Sequence, residues 1–191
     1  MDIVRRTRQG FSVIELVVVV GILMILAALV TTGLRGLSNA SKARSTRVLM
    51  EKARSMLGEL DAKTPIAGQA WASGSLAAPG KVGTEDAGRT GAAVVATRDV
   101  IELLRSMPLN RDVLAQVPQE QLMLLSGSDA PVILDGWYNP ILFVGAGGLS
   151  GVNVDGTSRT IQSPDNRPFF ASAGADGDFS SGNDNIYSFQ N

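Results

Sequence analysis

The chain of 191 residues contains neither cysteine nor histidine. Their absence excludes disulfide bonds, thiol nucleophiles, Cys/His zinc sites and acid–base catalysis by histidine. It does not decide the compartment, because disulfides are permitted outside the cytoplasm rather than required there. No other pattern in the chain indicates catalysis, and we expect no enzymatic activity.

The chain also has no large excess of positive or negative charge. The 17 basic and 18 acidic residues give a net charge of −1, so no overall field favours nucleic acid, and we expect no nucleic-acid partner. The charge is unevenly placed, however. Three arginines against one aspartate give residues 1–10 a side-chain charge of +2, which leaves −3 for the remainder.

One long apolar run is present, from Phe11 to Val30, and its only charged residue is Glu15. As a helix, such a run spans roughly 30 Å, the thickness of the hydrocarbon core of a bilayer. It predicts a membrane segment. An ordinary N-terminal anchor is one interpretation. A secretory signal peptide is another, but its apolar region usually covers about 7–15 residues and lacks an acid.

Glu15 is the unusual feature of this run. A carboxylate in hydrocarbon costs about 2.5–3.5 kcal/mol on insertion scales, so it indicates a functional site. Cleavage between Gly10 and Phe11 would create an α-amino group one helical turn from Glu15. In an assembly that amine belongs to a neighbouring subunit, and the ion pair fixes the register of packed helices.

Gly10-Phe11-Ser12-Val13-Ile14-Glu15-Leu16 resembles the processing motif of type IV prepilins, which type IV pilins share with type II secretion pseudopilins. The resemblance implies that a membrane prepilin peptidase removes residues 1–10 and methylates Phe11. It also implies that Glu15 guides assembly. The implied location is the inner membrane, crossed once, with the leader in the cytoplasm and the C-terminal domain in the periplasm.

The chain after the leader is predicted to begin with one long helix. Its transmembrane part covers residues 11–34 and its periplasmic part covers residues 35–64, where Leu49, Ala53, Met56 and Leu60 share one face. Pro65 marks its end. Residues 65–130 are predicted to form an Ala/Gly-rich connector and short helices, one beginning at Thr97 and another capped by Asn110.

Residues 131–191 are predicted to form a small antiparallel sheet. Its strands are 131–134, 141–144, 169–172 and 186–189, with a hairpin at Asp155-Gly156. The predicted fold class is therefore α+β and pilin-like, with a long N-terminal helix, half transmembrane and half amphipathic, packed on this sheet. Asp135-Gly-Trp-Tyr-Asn-Pro140 resembles the Asp-Pro-Trp-Gly-Asn-Pro turn of the pseudopilins.

An acidic loop, residues 172–186, lies between the last two strands. It is either a polar turn in which Asp and Asn accept backbone hydrogen bonds, or a calcium site, because Asp176, Asp178, Asn183, Asp184 and Asn185 supply the oxygen ligands that Ca²⁺ prefers. The loop is similar to the C-terminal calcium loop of major pseudopilins. That resemblance implies ligands from the side chains of Asp176 and Asp184 and from the Ala173 carbonyl. Asn183 and Asn185 replace the usual acids, which lowers the ligand charge.

These features favour a structural subunit, most like the major pseudopilin, that assembles into a periplasmic filament for type II secretion. The implied partners are itself, other pseudopilins, prepilin peptidase and the inner-membrane secretion platform. One alternative is a type IV competence or adhesion pilin. Another is an uncleaved, membrane-tethered periplasmic domain that binds calcium.

Overall fold

The structure is a computed structural model that describes residues 12–66, 69–82, 91–125 and 129–190, with the side chains of 30–36 left out. The chain divides into two compact units between Ala40 and Ser41. One helix, α1 (Val13–Lys63), runs through this boundary. It ends two residues before Pro65, as the sequence predicts.

The first unit consists, in its described part, of the N-terminal portion of α1. Every described side chain from Ser12 to Leu29 is exposed to solvent. Among the described residues, no helix combines the length and the hydrophobicity that a membrane crossing needs. Phe11 and the side chains of 30–34, which belong to the predicted transmembrane part, lie outside the described residues.

In its described residues, the second unit begins with the rest of α1 and adds three shorter helices and one 3-10 turn. These are α2 (Ala70–Ser73), α3 (Ala92–Arg105), α4 (Pro108–Ala115) and the turn Gln119–Gln121. The prediction that a helix begins at Thr97 is wrong by five residues, because Ala92–Ala96 are also helical. Asn110 does not cap α4 either. Asn110 lies within α4 and is buried from solvent, and its side-chain amide donates to the carbonyls of Met56 (3.2 Å) and Leu104 (3.0 Å).

In the part of the chain that the structure describes, eight strands form three small sheets. The strands are β1 (Ser75–Ala77), β2 (Leu122–Leu124), β3 (Pro131–Ile133), β4 (Leu142–Val144), β5 (Gly148–Val154), β6 (Thr157–Ile161), β7 (Phe169–Ser172) and β8 (Ile186–Tyr187). Their orders are β1-β5-β6, β2-β3 and β4-β7-β8. All pairs are antiparallel except β1 with β5, which is parallel.

The predicted hairpin at Asp155-Gly156 is confirmed. Val154 pairs with Thr157, and both turn residues have positive φ (52° and 79°), which the two-residue turn requires. Residues 131–134 and 141–144 lie on either side of a turn, as predicted, and Leu134 and Pro140 form an isolated antiparallel bridge, but the ladder of β3 is with β2 and that of β4 is with β7. The turn between them connects two sheets. The single predicted sheet is therefore three sheets in the described residues, and the predicted connector, residues 65–130, supplies β1 to one of them and β2 to another.

The predicted face of α1 is confirmed as part of the core. Leu49, Ala53, Met56 and Leu60 are buried together with Ile101 and Leu104 of α3 and with side chains of β3, β4, β7 and β8. Thr97 joins α3 to β4 within this core, since its hydroxyl donates to the Ala93 carbonyl (2.9 Å) and accepts from the Phe143 amide (2.8 Å). The fold class is α+β with a pilin-like arrangement of one long N-terminal helix followed by small, mainly antiparallel sheets.

Candidate functional site

The predicted cleavage point, Gly10 and Phe11, lies outside the described residues, and Ser12 is the first residue that the structure describes. Glu15 Oε2 accepts the Ser12 backbone N–H (2.9 Å), and Ser12 Oγ accepts the Ile14 N–H (3.3 Å). This reciprocal pattern is a capping box, in which a serine and a glutamate three residues later satisfy the free donors of a helix start. A carboxylate in this first turn also interacts favourably with the helix dipole.

The cap gives Glu15 a role that the apolar run did not suggest. The apolar run predicts only a partner amine for Glu15, whereas the carboxylate also caps α1 within its own chain. Its sequence signal is Ser12-x-x-Glu15. The cap also places the carboxylate next to Ser12. Cleavage would create the new amine on Phe11, the residue before Ser12 in the chain.

The acidic loop is organised by its own carboxylates. Asp184 Oδ2 accepts the N–H groups of Ala175 (2.6 Å) and Asp176 (3.1 Å). Asp176 Oδ1 accepts the Asp178 N–H (2.8 Å). Asp178 Oδ1 accepts the N–H (2.9 Å) and the hydroxyl (2.6 Å) of Ser180. Each of the three predicted acidic ligands thus uses one oxygen to hold a tight turn.

Two buried oxygens in this loop have no hydrogen-bond donor. They are Asp184 Oδ1 and Asn185 Oδ1. The Asn185 amide is oriented by donating to the Phe179 carbonyl (3.1 Å) and the Tyr187 hydroxyl (3.2 Å). Buried acceptors are rarely left unpaired, because each costs the desolvation of a polar atom. Two such oxygens in consecutive residues are atoms that a hard cation can coordinate.

The other predicted ligands differ in their surroundings. Ala173 is fully buried, whereas Asp176 and Asn183 are exposed. Within the described ranges, no three Asp, Glu, His or Cys side chains are grouped closely enough to hold a metal ion. A cation here would therefore rely on amide and main-chain oxygens as well as on carboxylate.

A buried aspartate connects this loop to the preceding turn. Asp135 is fully buried. Its Oδ1 accepts hydrogen bonds from the backbone N–H groups of Trp137 (2.8 Å) and Asn139 (2.9 Å). Its Oδ2 accepts a hydrogen bond from the Ser172 hydroxyl (2.6 Å). The Asn139 amide in turn donates to the Gly174 carbonyl (2.8 Å). Burial raises the pKa of the Asp135 carboxyl, and the hydrogen bonds from Ser172, Asn139 and Trp137 offset part of that rise.

The same turn contacts α1. The Gly136 N–H donates to Thr46 Oγ1 (2.9 Å), and the Thr46 hydroxyl donates to the Lys42 carbonyl (2.9 Å). A Cβ at Gly136 would lie 2.5 Å from the Lys42 carbonyl oxygen, so only glycine fits without movement. A continuous polar path therefore leads from α1 through the Asp135 turn to the acidic loop. Sequence reasoning missed Thr46 and Ser172. The available signal was that Thr46 lies on the apolar face of α1, three residues before Leu49.

A family profile described as "Prokaryotic N-terminal methylation motif" matches residues 5–31, which include Gly10, Phe11 and Glu15. No curated protein and no solved structure matches the chain significantly. The family match confirms the resemblance that the first 16 residues indicate. At residues 5–31, this chain carries the N-terminal methylation motif that is the signature of type IV prepilins and pseudopilins.

Proposed function

We propose that this chain is a pseudopilin-type structural subunit that is cleaved after Gly10, methylated on Phe11 and assembled into a periplasmic filament for type II secretion. The methylation motif at residues 5–31 is the observation that carries the proposal, because that signature belongs to cleaved pilin-like subunits. In this proposal residues 11–34 anchor the chain in the inner membrane. The leader lies in the cytoplasm, and the rest of the chain lies in the periplasm.

The exposed apolar surface supports assembly in an apolar environment. The side chains of Val13, Leu16, Leu23 and Leu29 are all more than half exposed in the single chain. A contiguous apolar surface of this kind needs cover by lipid or by other apolar helices. Lipid covers the segment before assembly, and neighbouring helices replace part of the lipid in a filament.

Glu15 has two tasks in this proposal, and Glu15→Gln tests the charge while keeping an oxygen for the cap. Glutamine keeps an oxygen that accepts the Ser12 N–H but carries no charge, whereas alanine removes both the cap and the charge. We expect prepilin peptidase to cleave both Glu15→Gln and Glu15→Ala. Both should fail to assemble, because the amine of Phe11 in a neighbouring subunit lacks its carboxylate.

Co-expression with a prepilin peptidase tests this directly. The mass of each purified chain reports cleavage, and an amine-reactive cross-linker reports assembly. Normal assembly of Glu15→Gln would contradict the ion-pair role. Wild-type chains that keep residues 1–10 would favour an uncleaved, tethered domain.

We further propose that the acidic loop holds calcium. The unpaired buried oxygens of Asp184 and Asn185 support this, since oxygen is the atom that Ca²⁺ prefers as ligand. Asp176, Asp178, Asn183 and the Ala173 carbonyl are the further donors in the same loop. The ion would supply positive charge among the carboxylates and stabilise the loop between β7 and β8.

Thermal unfolding of the detergent-solubilised full chain, in calcium and in chelator, tests this site. A bound ion raises the melting temperature by mass action. We expect that rise in wild type and in the control Asp112→Ala, which removes an exposed acid on α4. Asp184→Ala should abolish it. Equal melting temperatures for wild type with and without calcium would contradict the proposal.

A further inference from the structure

The exposed side of α1 presents a basic stripe, defined as Arg44, Arg47 and Val48. Both arginines are exposed, and 49% of Val48 is exposed. The opposite side, with Leu49 and Ala53, is buried. Among the described residues, neither Arg44 nor Arg47 is in an ion pair.

The exposed side of α3 presents an acidic stripe, defined as Asp99, Glu102 and Leu103. Both acids are exposed, and Leu103 is 40% exposed. The other side of α3 is buried through Val100, Ile101 and Leu104. Asp99 contacts Arg98 with one carboxylate oxygen only, and no described residue forms an ion pair with Glu102.

The two stripes have opposite charge and identical spacing. Each has charges at positions i and i+3 and an apolar side chain at i+4, so they match residue by residue when two helices pack in parallel. No ion pair joins the stripes within one copy of the chain. We propose that the basic stripe of one copy binds the acidic stripe of a second copy, with Arg44 facing Asp99, Arg47 facing Glu102 and Val48 facing Leu103.

This contact is heterologous, because it joins two different surfaces of the same chain. Heterologous contacts continue from copy to copy and generate rings or open helical assemblies. The inference rests on the proposed function and names which surfaces meet in that assembly. Exposed ion pairs contribute little affinity individually, but charge complementarity fixes which surfaces meet and in which register.

The cysteine-free chain allows a direct cross-linking test. Full-length Val48→Cys and Leu103→Cys variants are expressed together with a prepilin peptidase, cleavage is verified by mass, and membranes are treated with a short bismaleimide. We expect a covalent dimer at roughly ten times the yield found with either variant alone, because only the mixed pair places both thiols in one heterologous contact. Leu109→Cys, an exposed leucine on α4, replaces Leu103→Cys as the control and should give no such dimer.

Charge exchange provides a second measurement on the same cross-link. Arg47→Glu or Glu102→Arg alone should lower the dimer yield roughly fivefold, because like charges replace an exposed ion pair, and both together should restore it. Arg159→Glu and Glu120→Arg make the same charge changes at other exposed positions and should leave the yield unchanged.

The outcomes separate this inference from the proposed function. Cleaved chains that give an amine-cross-linked ladder but no Val48–Leu103 dimer would overturn the inference alone. A Val48→Cys dimer as abundant as the mixed one would overturn it too, because the contact would then be symmetric. Chains that keep residues 1–10 would contradict the proposed function and, with it, the inference.

Discussion

Removing the Asp135 carboxylate should loosen the connection between α1, the turn at 135–140 and the acidic loop. In Asp135→Ala, three donors lose their acceptor: the N–H groups of Trp137 and Asn139 and the hydroxyl of Ser172. Asn139 and Ser172 are buried, so water cannot replace the lost acceptor at these two positions. Trp137 is half-buried.

The size of the effect follows from these contacts. Each buried donor left unpaired costs about 1–3 kcal/mol, so two of them cost about 2–6 kcal/mol. Loss of the buried charge offsets part of this, because burial already disfavours the ionised carboxyl, as its raised pKa shows. We expect Asp135→Ala to lower the free energy of unfolding by about 2–4 kcal/mol. Asp135→Asn keeps an oxygen for the two N–H groups and should cost about 1 kcal/mol.

The assay is urea unfolding of the detergent-solubilised full chain, followed by tryptophan fluorescence. Trp71 and Trp137 are the two tryptophans of the sequence, and both lie in the second unit, so the signal reports that unit. Asp135→Ala should lose more unfolding free energy than Asp135→Asn. If it does not, Asp135 is not the shared hydrogen-bond acceptor of the turn and the loop.

Three further predictions use the same measurement. Gly58→Ala should stabilise the chain by about 0.5–1 kcal/mol, because Gly58 lies in α1 with nothing within 4 Å of a new Cβ. Gly136→Ala should destabilise the chain, because its Cβ would meet the Lys42 backbone. Equal effects of the two substitutions on the free energy of unfolding would contradict this. Thr97→Val should cost about 1–3 kcal/mol by leaving the Phe143 N–H unpaired, and no loss would argue against that hydrogen bond. The pKa of Asp135 is raised above its ordinary value of 3.8, so the folded chain binds a proton that the unfolded chain has released. The stability that this group contributes is therefore fully present below about pH 4 and falls as the pH rises through the folded-state pKa. The difference in free energy of unfolding between wild type and Asp135→Asn should decline in this way as the pH rises. A difference that does not change with pH would refute the prediction.

Local patterns in the sequence predicted the elements that local chemistry determines. The spacing of Leu49, Ala53, Met56 and Leu60 identified the buried face of α1, and Asp155-Gly156 identified a hairpin whose turn needs two positive φ angles. The cap at Ser12–Glu15 is equally local, and its Ser-x-x-Glu signal was present in the sequence but not recognised. These features depend on residues that are close together in the chain, so a single sequence is enough to find them.

Features that depend on distant residues were not predictable in the same way. Strands of three residues, such as β2, β3 and β4, carry too little pattern to choose partners, so the division into three sheets and the parallel pairing of β1 with β5 were missed. The polar path from Thr46 to Ser172 combines three segments that meet only in the folded chain. The two unpaired oxygens of the acidic loop likewise become visible only when burial is known.

The N-terminus of the working protein tests the central claim most directly. Mass spectrometry of the chain purified from cells that contain a prepilin peptidase should show loss of residues 1–10 and one added methyl group on Phe11. A mature chain that still begins at Met1 would leave no free amine beside Glu15 and would contradict the account.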